Sequence, residues 1–413
     1  SDSRVRPWRR LTQLARMAPG PAHRQARLGL AAIFGSTFLE LIGYFMLLPL
    51  LLLRLKAGDV SSTVAGLFAA CGWAGIFLFT PFSSWVAQKL GRREALWLAA
   101  GVPAVASLGF ALTDDLALWF LLELLAGAAS GLRWVLAEAV VAEFAPAGRR
   151  GRYVGFFETM VGTTFVIGPT LLAWVGPTST AALWVAIGFI FAGLAWTLLV
   201  PPMPPAADAL TSPVGIRGVW HALVQHPIIM LAGFIGGFFE SGVSSILPLY
   251  GLALGLGVTA SALLVAASGL GSALTMLPVG LAADRFSDQA AGRRTLMVGL
   301  ALMTLVATLV LPLVAHTGWL AWPIVFLWGG AGGSLYTLAM IDIGARETGV
   351  TLVNSTAVLV LTYTLGSMAA SASSGFLLQW SPAFGFPAVL AAVAALGCYA
   401  LIRTRNSIAR ASS

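Results

Sequence analysis

The sequence predicts an all-α membrane protein whose twelve transmembrane helices form two pseudo-symmetric bundles of six. Three observations predict it. Of 413 residues, 58% are hydrophobic and only 10% charged, which excludes an ordinary soluble domain. Twelve apolar stretches each reach the roughly 20 residues that cross a bilayer. An acid stands in the middle of the first stretch, in Phe38-Leu39-Glu40-Leu41, and again in the seventh, in Phe238-Phe239-Glu240. Each is followed by a proline, Pro49 or Pro248, at nearly the same distance.

The spans are read near 28–54, 61–87, 95–113, 116–142, 153–175, 180–200, 228–254, 258–283, 295–315, 320–343, 350–379 and 383–402. After span six comes Pro201-Pro202-Met203-Pro204-Pro205. Proline cannot continue a helix and holds the chain extended, so this segment divides the spans six and six. The chain is therefore read as a basic tail (1–27), a first bundle (28–200), a linker (201–227), a second bundle (228–403) and a short tail (404–413).

The charges fix an expected orientation. Of 24 Lys and Arg, 21 fall in the tails or in alternate loops. Only Arg54 and Lys56 lie on the other side, and Arg133 lies within a span. Basic residues favour the cytoplasmic side, which places both termini and the linker there. The same placement assigns the net charge of +8 to topology and lipid contact, not to nucleic acid. Arg outnumbers Lys 22 to 2, the usage of a GC-rich bacterial genome, so a bacterial cytoplasmic (inner) membrane is expected. Cys71 and Cys398 sit in separate spans and read as small apolar residues, not as a disulfide or a metal pair.

The two halves share punctuation. After span two the chain reads Gln88-Lys89-Leu90-Gly91-Arg92-Arg93; after span eight it reads Asp284-Arg285, six further residues, then Gly292-Arg293-Arg294. Span four, Gly131-Leu132-Arg133-Trp134, corresponds to span ten, Gly333-Ser334-Leu335-Tyr336. Internal duplication of this kind builds many secondary transporters.

These motifs resemble those of the major facilitator superfamily over nearly the whole chain. The turn between spans two and three in that superfamily reads Gly-x-x-x-Asp-Arg-x-Gly-Arg-Arg. Asp284, Arg285, Gly292, Arg293 and Arg294 match it with an insertion. In the first half Gly91, Arg92 and Arg93 match, while Gln88 replaces the Asp. The surroundings of Glu40, with Ala142-Glu143-Phe144 and Gly168-Pro169, are similar to the tetracycline-type drug/proton antiporters. The second half, with Leu247-Pro248-Leu249-Tyr250, looks more like the YcaD-type branch. The resemblance implies the major facilitator fold, with spans one, four, seven and ten around a central cavity.

Ionisable residues inside spans are confined to Glu40 (one), Glu123, Arg133 and Glu138 (four), Glu158 (five), Glu240 (seven) and Asp342 (ten). A charge at that depth costs a few kcal/mol or more, so each marks a pathway or a paired group. Glu40 and Glu240 read as carboxylates that bind a proton or a cation, never both at once, and the pair implies a two-carboxylate cavity. The other reading of each is a buried, hydrogen-bonded carboxyl. Glu123 stands where the resembled fourth span often carries Arg. For Arg133 the candidate partners are Glu138, Glu158 or an anionic substrate. Tyr44, Trp134, Tyr336, Asn354 and Tyr363 are candidates for an aromatic and polar cavity. A cytoplasmic gate is expected from Arg92 and Arg93 with Glu143. In the second half it is expected from Arg293, Arg294, Asp284 and Arg285 with Asp342, Arg346 and Glu347. The alternative for these end residues is simple snorkelling at the interface.

No enzyme is expected. The four histidines lie in tails or loops, no nucleophile stands with a base, and no phosphate loop is present. Energy then comes from an ion or substrate gradient, the proton gradient being the expected one, with no cofactor. The expected function is proton-coupled antiport: efflux of small amphipathic or cationic compounds by a monomer whose partners are its substrate and membrane lipid. The alternatives are an importer or uniporter of a nutrient or siderophore-like anion, and a non-transporting membrane scaffold or assembly factor.

Overall fold

The computed structural model describes residues 21–144, 150–203, 224–283, 285–286, 289–315, 317–346 and 349–411. Among them the chain forms twelve long helical segments and no strand. Spans one to six are Pro21–Ala57, Ser62–Phe79, Arg92–Leu112, Leu116–Phe144, Arg150–Val175 and Thr180–Thr197. Spans seven to twelve are Pro227–Ala253, Val258–Ala283, Gln289–Val310, Ala321–Arg346, Gly349–Trp380 and Gly385–Ala411. All but span eleven are long and apolar enough to cross a membrane. Span eleven is diluted by serines, and three of these are satisfied within the helix: Ser367, Ser371 and Ser373 donate to the carbonyls of Tyr363, Ser367 and Ala369, while the buried Ser374 Oγ has no partner among the described residues. Such back-bonding lets a polar side chain sit at membrane depth without an orphaned group.

The boundaries differ from the sequence reading at both ends of the chain. Span one begins at Pro21, inside the expected basic tail, and span twelve runs through most of the expected 404–413 tail to Ala411. Basic residues ended the apolar pattern there, but without Gly or Pro to break it the helix continues. Span two does break, at Pro81, into a 3-10 turn (Thr80–Phe82) and a short helix, Ser83–Leu90. Gly91, at φ 93°, then turns the chain into span three, a conformation that costs glycine little. On the opposite face Ser61 and Ser179 cap spans two and six by accepting from the backbone N–H of Val64 and Ala181.

The helices pack as a duplicated unit. In the first half span one lies against five and six, and spans three and four against each other, with two on four and three on six. In the second half the contacts are seven with eleven and twelve, nine with ten, eight on ten and nine on twelve. The repeat holds at single residues. Gly75 meets the Leu124 carbonyl and Ala128 N, and Gly271 meets the Phe326 carbonyl and Gly330 N. Gly131 meets Ile76 and Thr80, and Gly333 meets Ser272 and Met276. Small residues at these crossings let helices approach closely, which is what holds bundles together in lipid.

The two halves meet where span two packs on eleven and five on eight, two contacts that interchange under the same repeat, with one beside seven between them. Gly66 and Gly375 touch backbone to backbone. Gln379 Oε1 accepts from the otherwise free N–H of Thr63 at 3.1 Å, capping span two from the other half. Trp73 Nε1 donates to Ser245 Oγ at 3.3 Å. These contacts seal the face that carries the 58–61 turn, opposite the basic face of Gly91 and Gly292.

Candidate functional site

Glu40 does not face Glu240. Its Oε2 lies 2.9 Å from Arg133 Nη1, and Arg133 Nη2 donates to Ser36 Oγ at 2.8 Å while Nη1 reaches Thr197 Oγ1 at 3.3 Å. All four side chains are buried. Gly193 of span six leaves room for the Glu40 backbone, since a methyl there would collide with its N and Cβ. The guanidinium is thus held inside the first half by spans one and six, which corrects the expected partners Glu138 and Glu158. One residue of rotation explains it: Arg133 turns toward span one and Trp134 toward the other half.

Glu240 occupies the equivalent place in span seven with different neighbours. Span seven is helical over Pro227–Gly237 and Val243–Ala253, but Phe238–Gly242 between them is a π-helical turn with Glu240 at its centre. Such turns recur at functional sites because the extra residue re-aims a side chain. Gly332 of span ten makes the space, pressing on Glu240 N and Cβ. One carboxylate oxygen accepts from Ser272 Oγ and the other from Tyr363 OH at 2.9 Å. Tyr363 OH also shares a hydrogen bond with Ser241 Oγ. Ser272 stands where the first half has Ile76, so Glu40 lacks this donor and is neutralised by Arg133 instead.

Around Glu240 the expected aromatic residues gather. Tyr336 and Tyr363 pack edge to face at 5.1 Å, and Trp134 of the first half closes on both, at 6.5 and 6.1 Å. Trp134 Nε1 donates to Glu138 Oε1 at 2.7 Å. Glu138 lies against Glu158 of span five, and Glu158 lies close enough to Glu240 for their charges to interact. Carboxyls from spans four, five and seven therefore converge on one aromatic cluster at the boundary between the halves.

A family model for the Major Facilitator Superfamily matches residues 33–356. The chain belongs to the Major Facilitator Superfamily. It is a multi-pass membrane transporter and not an enzyme. It is 24% identical over 337 residues to the MFS-type transporter YfkF of Bacillus subtilis (strain 168), covering 81% of this chain and 84% of that one. It is 20% identical over 137 residues to the quinolone resistance protein NorA of Staphylococcus aureus (strain Mu50 / ATCC 700699), 33% of this chain and 35% of that one. The fold superposes on a D-xylose-proton symporter with a TM-score of 0.71 at 14% identity, over 90% of this chain and 96% of the other.

In this superfamily fold the remaining candidates separate from the centre. Glu123 is buried against Gly72 with one oxygen lacking a hydrogen bond, near Tyr44 and Cys71. Tyr44 packs on Phe45 and lines a small recess with Trp73, Phe165 and Ser241, the serine whose hydroxyl meets Tyr363. At the basic face Arg293 Nε pairs with Asp342 Oδ1 at 2.9 Å, both buried, within the second half between spans nine and ten. Arg93 lies over the Trp97 ring at 4.4 Å. Arg92 is buried and Arg285 exposed, and Arg294 Nε lacks a hydrogen bond. Asp284 and Glu347 fall outside the described residues, as do the side chains of Glu143, Asn354 and Arg346. Sequence reasoning did not place Glu138, Glu158 or Ser272 in the site. The signal for the two acids was present, as charges inside spans; what was missing was the direction in which they point.

Proposed function

We propose that this transporter works by alternating access and exports small amphipathic or cationic compounds in exchange for protons. One observation carries the reading: Glu240, buried at mid-helix in a π-helical turn, accepts from Ser272 and Tyr363 beside aromatic rings contributed by both halves. A carboxylate there binds a proton or a cation but not both, and its surroundings change whenever the halves move. The proton is carried at Glu240 and not at Glu40, whose charge is already matched by Arg133. That pairing also removes the basic residue on which an anion importer would rely. Likeness to NorA supports export; likeness to a proton symporter supports proton coupling. Both termini and the 201–227 linker are placed in the bacterial cytoplasm, following the charge bias.

The test is transport in proteoliposomes. With ethidium as the cation, an imposed pH gradient should drive uptake in the parent, a protonophore should abolish it, and Glu240→Gln should remove it. Uptake indifferent to the protonophore and to Glu240→Gln would overturn the reading.

A further inference from the structure

The proposed exchange needs one carboxylate, and the structure holds two more at the same place. Glu138 and Glu158 lie against each other. Two ionised carboxylates in contact repel, and a single proton held between them removes that repulsion. Both are partly exposed, whereas Glu240, Tyr336 and Tyr363 are buried. Glu138 stands six residues before the end of span four, about 9 Å from the basic face at ~1.5 Å per residue. The pair thus sits between Glu240 and the basic face, less enclosed than Glu240 itself.

A second observation points to a ligand. Tyr336 is 7% exposed, and its hydroxyl has no hydrogen-bond partner. The phenol oxygen is close enough to Glu138, Glu158, Glu240 and the Tyr363 hydroxyl to feel each of them. A buried hydroxyl facing three carboxyls yet bonded to none is an unused contact. The charged groups facing this point are the acids of spans four, five and seven. Arg133, the nearest basic residue in span four, is engaged by Glu40.

Building on the export reading, we infer that Glu138, Glu158 and Glu240, with the free hydroxyl of Tyr336, bind a flat organic dication. Its ring system lies against Trp134 and Tyr363, where a cation over an aromatic face is attracted by the ring. One positive group pairs with Glu240. The other takes the place of the proton held between Glu138 and Glu158, which leaves to water.

Ethidium and propidium share a ring system and differ by one added quaternary ammonium, so they isolate the second charge. Purified protein in detergent should bind propidium about tenfold more tightly than ethidium, the size of one added ionic contact. Propidium should also release more protons per molecule bound. In Glu158→Gln and Glu138→Gln the preference should fall to about twofold or less, and the difference in proton release should vanish. Thermal unfolding of each variant checks that it is folded. Equal affinities in the parent, or a preference that survives both substitutions, would overturn the dication site while leaving cation export standing. If a folded parent binds neither dye, both readings fall.

Discussion

Trp134 and Tyr336 hold the same place in the two halves of the sequence and meet across the boundary between them, their ring centres 6.5 Å apart. The contact is made by residues that the repeat relates, so motion of one half against the other must change it. Trp134 also ties its own half to the acids through Glu138. Trp134→Phe keeps the aromatic contact and removes the indole donor to Glu138, a loss of about 1.5–3 kcal/mol for a hydrogen bond to a charged group. Trp134→Ala should lose the ring contact as well, about 0.5–1.5 kcal/mol more. Ethidium and propidium titrations of the two variants should therefore rank parent, Phe, Ala. An Ala variant that binds as tightly as Phe would remove the ring contact from the site.

The Glu40–Arg133 pair makes the opposite kind of prediction. Glu40→Gln leaves a buried guanidinium without its counter-charge, which typically costs about 3–5 kcal/mol. The single variant should unfold at a clearly lower temperature in detergent. Glu40→Gln with Arg133→Met should recover most of the loss, because no charge is then left unmatched. Normal stability of the single variant would mean that Glu40 is free to change its charge, and the coupling role would return to span one.

Much of this arrangement was legible in the sequence. Twelve spans, the six-and-six division and the matched acids follow from apolar run length, proline placement and the cost of charge in lipid. The rotation of each helix about its own axis was not legible. Glu40 and Glu240 occupy equivalent positions, yet one turns to Arg133 and the other to Ser272 and Tyr363. The difference is made by neighbours far away in sequence: Gly193 and Thr197 beside Glu40, Gly332 and Ser272 beside Glu240. The π-helical turn at Phe238–Gly242 was equally hidden, since it depends on tertiary packing more than on local propensity.

The Gly66–Gly375 contact closes one face of the molecule, and its closeness depends on the absence of side chains. Gly375→Val would drive a branched side chain into Gly66 and the Ser62 carbonyl, an overpacking cost of about 1–3 kcal/mol. Only the state with this face closed bears that cost, so the equilibrium should move toward the state open there by roughly 5- to 150-fold. A cysteine at Ser245, whose hydroxyl meets Trp73 in the closed state, should then react faster with a thiol reagent. Unchanged reactivity would show that spans two and eleven do not separate during the cycle.

The charge bias predicts that Asp115, in the turn before span four, faces outward in cells, and that Arg93, beyond span two, faces inward. A cysteine at Asp115 should react with a membrane-impermeant maleimide in intact cells, and one at Arg93 only after permeabilisation. The reverse pattern would invert the orientation and, with it, the side from which Glu138 and Glu158 meet water.

Glu240 and Tyr363 give the most direct test of coupling. The phenol donates to the carboxylate, so it favours the charged acid and must yield its place, or share it, when a proton arrives. Tyr363→Phe removes that donor while leaving Ser272 in place, and should weaken ethidium binding by roughly tenfold or more, the scale of one hydrogen bond to a charged group. It should not abolish proton release, because the acid remains. Glu240→Gln keeps the shape and can still accept from Ser272, but it cannot exchange a proton, so ethidium should no longer displace one from this position. Measured in weakly buffered detergent solution, release should therefore persist in Tyr363→Phe and disappear for ethidium in Glu240→Gln. If Glu240→Gln releases protons as the parent does, the carboxylate in span seven is a structural acceptor for Tyr363 and Ser272, and the proton is carried elsewhere.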